Sequence, residues 1–412
     1  MPTPPAFPAP SEHARHWRLD PATCYLNHGS FGACPSAVLE AQSAYRDQME
    51  ADGVEWFVKR MYPLLDRARE SLGRLVDADP ADLVFVPNAT TGVATALASL
   101  QLQAGDQIVA PDQEYPACLN NLRRIAGRAG AEVVTPRLAW PTTGADEVLQ
   151  VVLDAITDRT RAVLISHVTS PTGLVLPVER LVPLLRERGI VSVVDGAHVP
   201  GFVSLSIRGL DPDFYTANCH KWLCSPKGSG MLYVRRDRQG SVRPLVLSNH
   251  AESGHPHRPF FQAEFDYVGT GDITAYLGVH DAIGFMGSLL PGGFGAVMER
   301  NRALAVEARR VLCRAMGVEA PAPESMLGCL AAVLMPMHEP ERDARLRSRP
   351  TPHVDALQDV LYEKHRIQVP VWRFGAAKRR MIRVSAQAYN AIGQYEYLGR
   401  ALVEELEAER RL

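Results

Sequence analysis

The sequence lacks the features that mark membrane, secreted and nucleic-acid-binding proteins. No apolar run approaches the roughly 18 residues of a membrane span. The stretch Met1 to Ser11 has no basic region followed by an apolar one, as a secretory signal would. Lys and Arg number 44 against 46 Asp and Glu in 412 residues, so the net charge is −2 without a basic excess. We therefore expect no membrane and no nucleic acid as partners.

The sequence also lacks the even, regularly spaced set of cysteines that a disulfide framework needs. The seven cysteines are an odd and scattered set, at positions 24, 34, 118, 219, 224, 313 and 329. This is typical of reduced thiols and predicts a cytoplasmic protein rather than a disulfide framework. Cys219, His220 and Cys224 lack the paired spacing of a zinc site, so no metal is expected.

Short apolar runs alternate with helical patterns through the first 285 residues. The predicted strands are 83–86, 107–110, 132–134, 162–166, 190–195 and 231–234, and the predicted helices are 37–75 with a break near Asp52, 93–100, 117–129, 148–156 and 178–188. Strands that are apolar on both faces and alternate with helices favour a mostly parallel sheet covered on both sides, an α/β fold. Ligands bind such sheets beyond the carboxyl ends of the strands.

A smaller α+β unit is predicted after about Gly284. Its helices are 294–316, 354–365 and 394–410, and its strands are 329–335, 368–371 and 381–385. The basic run 342–349 is interpreted as a solvated loop because acidic residues dilute it. The predicted division is a proline-rich arm at 1–25, a large domain at 26–285 and a small domain at 286–412.

Two charged residues follow apolar strands, where a ligand would bind. Lys221 precedes a Gly-Ser-Gly turn, and it could form a Schiff base with a carbonyl cofactor or be a surface-loop lysine. Asp195 ends a strand 26 residues earlier, and it could pair with a protonated pyridine nitrogen or cap the next segment.

Three further signals are ambiguous one by one. Thr90, Thr91 and Gly92 begin an alanine-rich helix, which suits either phosphate binding or plain capping. Tyr115 could stack on a cofactor ring or pack in the core. Arg383 lies in a short apolar strand, where it could bind a carboxylate substrate or pair with an internal Glu.

Together these motifs resemble the class V aminotransferase superfamily of pyridoxal-phosphate enzymes, and most of all its isopenicillin N epimerase-like branch. In chain order the motifs are Leu26-Asn27-His28-Gly29-Ser30-Phe31-Gly32, Asn88-Ala89-Thr90-Thr91-Gly92, Asp195-Gly196-Ala197-His198, His220-Lys221-Trp222, Gly269-Thr270-Gly271-Asp272 and Arg383-Val384-Ser385. The resemblance covers roughly positions 20 to 400. It implies fold type I, with a large domain of mostly parallel sheet flanked by helices and a smaller α+β C-terminal domain.

The resemblance also assigns residues to pyridoxal 5'-phosphate. Lys221 would hold the cofactor as a Schiff base, and Asp195 would pair with its pyridine nitrogen. His198 would lie near the phenolic oxygen, and Tyr115 would cover the ring. The residues that would hold the phosphate are Thr90, Thr91, Gly92 and His220.

The remaining assignments concern the substrate and a second subunit. Arg383 would bind the carboxylate of a small amino-acid-like substrate, and Asn27 and His28 would line the entrance. Thr270 would reach the phosphate of a neighbouring subunit, which implies a homodimer with shared active sites.

This sequence departs from the family pattern at two places. Asn218 stands where many relatives have a phosphate-binding serine, so the phosphate contacts are expected to differ. The stretch Val369 to Gly375 has no cysteine, whereas cysteine desulfurases carry their nucleophile there. Cys329 lies in an apolar strand pattern and is interpreted as structural.

Several reactions fit the same machinery. Lys221 is the expected base at the substrate Cα, and Tyr115 is the candidate acid on the opposite face, with His28 and His250 in reserve. That set predicts an epimerase or racemase. A C–S lyase, such as a cysteine-conjugate or hercynylcysteine sulfoxide lyase, would need no second acid. An aminotransferase and a non-catalytic binding module are the remaining alternatives.

Overall fold

A computed structural model of the chain describes residues 7–375 and 378–411. Pro2, Pro4 and Pro5 of the predicted arm lie outside these residues. The strands, in chain order, are β1 (Cys24–Tyr25), β2 (Leu83–Val86), β3 (Gln107–Val109), β4 (Glu132–Val134), β5 (Thr160–Ser166), β6 (Val191–Asp195), β7 (Phe214–Asn218), β8 (Gly230–Val234), β9 (Leu330–Leu334), β10 (Ile367–Gln368), β11 (Val371–Phe374) and β12 (Arg379–Ser385).

The α-helices, in chain order, are α1 (His28–Phe31), α2 (Ser36–Ala51), α3 (Gly53–Glu55), α4 (Met61–Val76), α5 (Ala89–Ala98), α6 (Pro116–Ala129), α7 (Ala145–Asp154), α8 (Val178–Glu187), α9 (Ile207–Leu210), α10 (His250–Ser253), α11 (Phe260–Asp266), α12 (Thr274–Ser288), α13 (Gly293–Met316), α14 (Pro340–Arg347), α15 (Leu357–His365) and α16 (Ile392–Arg410). Across the described ranges, none of these helices has both the length and the apolar character needed to cross a bilayer.

The central sheet has the strand order β2-β8-β7-β6-β5-β3-β4. Strands β7, β6, β5, β3 and β4 run parallel, and β8 alone is antiparallel to both of its neighbours. The predicted mostly parallel α/β sheet is therefore confirmed. Its parallel strands all end at one edge, which is where ligands bind in such folds.

Both faces of this sheet are buried. Along β5, Ala162 and Leu164 point into a core with α5 and α6, whereas Val163 and Ile165 point into a larger core with α4 and α8. Successive side chains of a strand face opposite sides, so a strand covered on both sides must be apolar throughout. This explains the continuous apolar runs in the sequence.

The C-terminal part contains a second, antiparallel sheet of order β11-β12-β9. Helices α13 and α16 pack against each other, and α13 also contacts β9. Helix α12 continues through the predicted domain boundary at 285 to Ser288. The division into domains at 25 and 285 stays a prediction.

The end of the predicted arm is tied to the C-terminal part of the chain. Strand β1 pairs in parallel with β10, so Cys24 lies opposite Ile367 and Tyr25 opposite Gln368. The Ser385 N–H then donates to the Leu26 carbonyl at 2.9 Å. The chain therefore enters α1 directly beside the last residue of β12.

Two sequence-based predictions of local structure are wrong. The single strand predicted at 368–371 is two strands, β10 and β11, which are separated at Pro370 because proline has no N–H for a ladder. The loop predicted at 342–349 is mostly helix α14, with acidic residues in its first turn and an Asp343–Arg347 pair one turn apart.

Gly92 allows α5 to approach the sheet closely, and it provides a test of this packing. A Cβ atom at Gly92 would lie 1.9 Å from Thr216 Oγ1 of β7. We expect Gly92→Ala to destabilise the fold by about 1–3 kcal/mol, because α5 must shift. Gly127→Ala in α6 is the control, since nothing lies within 4 Å of its Cβ; it should stabilise the protein by up to ~1 kcal/mol. Thermal unfolding would measure both, and equal midpoints would contradict this account.

Candidate active site

A cavity of about 690 Å³ opens at the carboxyl edge of the central sheet. Its wall is made by residues that follow β2, β3, β5, β6 and β7, together with the start of α1 and two residues of the C-terminal sheet. The lining residues are Gly29, Ser30, Phe31, Asn88, Ala89, Thr90, Thr91, Tyr115, Ser166, Val168, Ser170, Asp195, Ala197, His198, Asn218, His220, Lys221, Trp372 and Arg383. Most of the side chains predicted from the sequence thus meet in one place.

Lys221 lies three residues after the end of β7, and its Nζ is 3.1 Å from Nε2 of His198. Burial and the positive charge of Arg383 lower the pKa of Lys221 to about 8. About a tenth of the Lys221 side chains are therefore neutral amines at pH 7, far more than for an ordinary exposed lysine. A neutral amine can act as a nucleophile or as a base.

Asp195 is a buried carboxylate at the last position of β6. Its Oδ1 accepts the N–H of Ala197 at 2.9 Å, and its Oδ2 is 3.4 Å from the Cys118 thiol. Within the described residues it forms no ion pair, and burial raises its pKa. A buried carboxylate without a cation is costly, so the position fits a ligand that brings a protonated ring nitrogen.

The start of α5 provides donors for an anion, but they are partly used by the protein. Asn88 Oδ1 accepts both the N–H and the hydroxyl of Thr91, at 2.9 and 3.1 Å. Asn218 Oδ1 accepts the N–H of Ala89 at 2.8 Å. The N–H and hydroxyl of Thr90 have no partner among the described residues, and Thr90 lines the cavity. Thr90 is thus better placed than Thr91 to donate to a phosphate.

His220 stands on the same side of the cavity. Its Nδ1 is 2.8 Å from the Ser229 carbonyl, which can only accept, so Nδ1 carries a hydrogen and Nε2 is left for a ligand. Burial lowers the pKa of His220 to about 4. Asn218, with its oxygen already used, retains amide hydrogens that can replace the missing serine hydroxyl. Thr90 and Asn218 thus offer hydrogens to phosphate oxygens, whereas His220 donates from Nε2 only once that nitrogen is protonated, which a nearby phosphate anion favours.

Arg383 is the cation of the opposite wall. It is 2% exposed, and its guanidinium contacts the Ser170 carbonyl, the Ser30 hydroxyl at 3.3 Å and the Trp372 ring at 4.8 Å. All of these partners are neutral, its Nε has no partner in the described chain, and burial lowers its pKa to about 10. A buried guanidinium without a carboxylate fits a ligand carboxylate, which it can bind through two hydrogen bonds.

Tyr115 lies across the cavity from Lys221. It follows β3, whereas Lys221 follows β7, and β6 and β5 lie between these strands. Three strand spacings correspond to about 14 Å. Tyr115 is 44% exposed and lines the cavity. Lys221 and Tyr115 therefore come from strand ends that lie on opposite sides of the strand that ends in Asp195.

The structure does not bring every predicted residue to the cavity. His28 is fully buried: its Nδ1 is 2.8 Å from the Tyr389 hydroxyl, and its Nε2 is 2.9 Å from the Lys221 carbonyl. Both ring nitrogens therefore have partners within the protein, and His28 is not among the residues that line the cavity, as an acid, a base or an entrance residue would be. His250, the other histidine considered for the second acid, contacts Tyr62 and Gly254 instead.

Three other predicted residues also lie off the cavity. Asn27 accepts the Ser30 hydroxyl at 2.7 Å, so it orients a cavity residue without lining the cavity itself. The N–H of Gly92 is bound to the Asn88 carbonyl, and the residue serves the packing of α5. Thr270 lies in an exposed segment and bonds to the Tyr267 hydroxyl at 3.1 Å. Its contact with a second subunit stays a prediction.

One buried acid was not among the predicted site residues. Glu114 accepts the N–H and the hydroxyl of Ser166, at 2.8 and 2.6 Å, and Ser166 lies opposite Asp195 in the sheet. Burial, reinforced by the charge of Asp195, raises the pKa of Glu114 to about 8. Its position beside Tyr115 was the available signal, but its burial is a tertiary property. Residues that do line the cavity and were not among the predicted site residues include Ser30, Ser166, Ser170 and Trp372.

Comparisons with known proteins show the family of this chain. A sequence model described as aminotransferase class-V matches residues 24–391. The chain is 35% identical to isopenicillin N epimerase of Amycolatopsis lactamdurans, over 94% of this chain and 96% of that protein. It is 30% identical to a putative L-cysteine desulfhydrase of Oryza sativa subsp. japonica, over 90% of this chain and 81% of the other.

A solved structure shows the same fold. It is a complex of a cystine C–S lyase with its reaction product, cysteine persulfide. It superimposes with a TM-score of 0.76 at 22% identity, and the match covers 93% of this chain and 97% of that one.

The raised pKa of Glu114 predicts a pH-dependent stability. The folded-state pKa of Glu114 lies above the ordinary 4.5, so its contribution to the free energy of unfolding is present below pH 4.5 and is lost as pH rises through about 8. The free energy of unfolding of the wild type should therefore fall between pH 5 and 9. That of Glu114→Gln should fall by at least ~1 kcal/mol less over the same range. Denaturant unfolding at several pH values would measure this. The exposed Glu396→Gln is the control, and parallel curves for Glu114→Gln and wild type would contradict the prediction.

Proposed function

The chain belongs to the class V aminotransferase family of pyridoxal-phosphate enzymes, and from this premise we propose that it acts at the Cα of an amino-acid substrate as an epimerase or racemase. The observation that supports this most is the meeting of Lys221, Asp195 and Arg383 in one cavity. The reaction would be of the isopenicillin N epimerase type.

The cavity residues fit the cofactor in the following way. Asp195 would face the pyridine nitrogen, Lys221 the aldehyde carbon, and Thr90, Asn218 and His220 the phosphate. The unpaired buried carboxylate of Asp195 is the observation that supports this orientation. Pyridoxal phosphate supplies an electron-withdrawing ring that acidifies the Cα–H of a bound amino acid.

Lys221 and Arg383 would divide the work on the substrate. Arg383 would hold the α-carboxylate, because its guanidinium is buried and contacts only neutral groups. Lys221 would take the Cα proton, for which a pKa of about 8 is well suited near neutral pH. His198 would orient the Lys221 amine through the 3.1 Å contact.

Inversion at Cα needs a second acid on the other face, and Tyr115 is the candidate. It reaches the cavity from the far side of β6, and its hydroxyl has no partner among the described residues. The relationship to isopenicillin N epimerase over nearly the full length of both chains supports inversion as the first choice.

A C–S lyase is the second candidate. It is favoured by the similarity to L-cysteine desulfhydrases, and loss of a group at Cβ requires no second-face acid. No cysteine is found on the described cavity wall, and Trp372 occupies the stretch where desulfurases carry theirs. Cys329 is buried, with its thiol 3.5 Å from the Phe202 carbonyl. Any such lyase would therefore act without an enzyme persulfide. An aminotransferase and a non-catalytic binding module rank below both.

We also propose a cytoplasmic homodimer with shared active sites. The seven cysteines are free, which supports a reducing compartment. Thr270 and Phe31 are both exposed, and Phe31, which lines the cavity, is 75% exposed, so a second copy would find both side chains accessible. The proposed domains, 26–285 and 286–412, would meet at the cavity, to which Arg383 contributes from the smaller one.

The deciding experiment follows absorbance and products together. The purified protein is titrated with L- and D-amino acids and with cysteine S-conjugates, and pyruvate and ammonia are assayed in the same wells. Solvent exchange of the α-proton with formation of the opposite enantiomer supports the epimerase. Release of pyruvate from S-conjugates identifies a lyase. A protein that shows no visible band with pyridoxal phosphate would favour the binding module.

Lys221→Ala tests the assignment of the cofactor lysine. We expect loss of the visible band of the bound cofactor and of turnover, because no amine remains at that position. Lys227→Ala is the matched control, since this nearby lysine donates only to the Gly32 carbonyl, at 3.0 Å. Substantial turnover by Lys221→Ala would refute the role.

Tyr115→Phe separates the two candidate reactions. If Tyr115 is the second-face acid, the variant should lose about 10²-fold or more in epimerisation and far less in β-elimination. Racemisation kinetics and pyruvate release measure the two rates on the same preparation. Equal losses would show that Tyr115 stacks on the ring and transfers no proton.

A further inference from the structure

Trp222 is a buried indole directly after Lys221, and the proposed reaction does not use it. Its ring packs against Phe202 and His28, each with a centroid distance of 5.0 Å. Its Nε1 is 3.2 Å from Nδ1 of His198. The indole therefore touches the one histidine that also contacts the Lys221 amine.

This contact determines where His198 carries its hydrogen. An indole N–H can only donate, so Nδ1 of His198 must accept and is unprotonated. The neutral imidazole then has its hydrogen on Nε2, the atom 3.1 Å from Lys221 Nζ. An N–H at that distance can bond to a neutral amine but not to an ammonium group, which has no lone pair.

The other charges around this pair are compatible with two neutral partners. Burial and Arg383 lower the pKa of Lys221, and Asp195 and Cys118 oppose that shift. Burial lowers the pKa of His198 well below its usual range, helped by Lys221, Arg383 and His28. The neighbouring His220 donates from Nδ1 to Ser229 and faces the phosphate side.

We propose that Trp222 is a positioning residue, whose indole N–H fixes His198 as a hydrogen donor toward Lys221 and thereby favours the neutral amine form of the Lys221 side chain over its ammonium form. The inference rests on the proposed role of Lys221 as the cofactor lysine. Without the indole N–H, the hydrogen of His198 can move to Nδ1. Nε2 then becomes an acceptor that stabilises the ammonium form of Lys221.

The test measures how pH controls attachment of pyridoxal phosphate to the cofactor-free protein. Attachment needs the neutral amine, which condenses with the aldehyde and releases water, so its rate rises as Lys221 loses its proton. For the wild type we expect a midpoint near pH 8. Trp222→Phe should raise it by about one pH unit, which slows attachment about tenfold at pH 7. The appearance of the visible band gives the rate.

Two controls separate the hydrogen bond from packing. Trp17→Phe also removes a buried indole N–H, bonded to the Ala33 carbonyl at 3.2 Å, and should leave the midpoint unchanged. In a His198→Leu background, adding Trp222→Phe should cause no further shift, because the acceptor of the indole N–H is gone. Should Trp222→Phe fold poorly in thermal melts, benzothienylalanine at 222 keeps the ring size and lacks the N–H.

Two results would overturn the proposal. The first is that the pH midpoint of cofactor attachment in Trp222→Phe equals that of the wild type. The second is that Trp222→Phe shifts this midpoint equally in the wild-type and in the His198→Leu background. Failure of the proposed function looks different: Lys221→Ala would then attach the cofactor with the wild-type pH profile, whatever Trp222→Phe does.

Discussion

Asp195 and Arg383 are two buried side chains of opposite charge that line one cavity. Neither forms an ion pair with the other or with any other described residue. Burying an unpaired charge costs several kcal/mol, so the rest of the site must hold both groups in place without neutralising them. The sheet holds Asp195 in place, because Asp195 is the last residue of a strand between two parallel neighbours. Neutral oxygens and the Trp372 ring hold Arg383 in place. A ligand that binds to these two charges in the folded protein also stabilises the fold, by mass action.

These two charges also affect the pKa values of the titratable groups around them. Burial and the charge of Asp195 raise the pKa of Glu114, which keeps Glu114 mostly neutral near neutral pH. Lys221 is influenced by both charges, and its lowered pKa reflects burial and the Arg383 guanidinium more than the Asp195 carboxylate. The cavity is thus an environment in which the titratable groups are shifted toward their neutral forms. That is what proton transfer near neutral pH requires.

Much of the fold and part of the site could be predicted from the sequence because the signals are local. Continuous apolar runs with intervening helices are enough for a parallel sheet, and a polar residue at the end of such a run is placed at its edge, as with Asp195. His28 could not be predicted, because its partner Tyr389 is 361 residues away. Helix α12 was not predicted because it is apolar on most sides. Two of the neutral partners of Arg383, Ser30 and Ser170, also come from distant segments.

The pairing of β1 with β10 has a consequence for how the site is assembled during synthesis. Ser30, on one wall, and Arg383, which bonds to it, are 353 residues apart in the chain. Both are held by the ladder and loops that join the first thirty described residues to the last fifty. The strands of the central sheet all lie between residues 83 and 234, whereas Arg383 lies in β12. A nascent chain that has made the whole central sheet sequence but not yet β12 therefore has no guanidinium with which to bind a carboxylate.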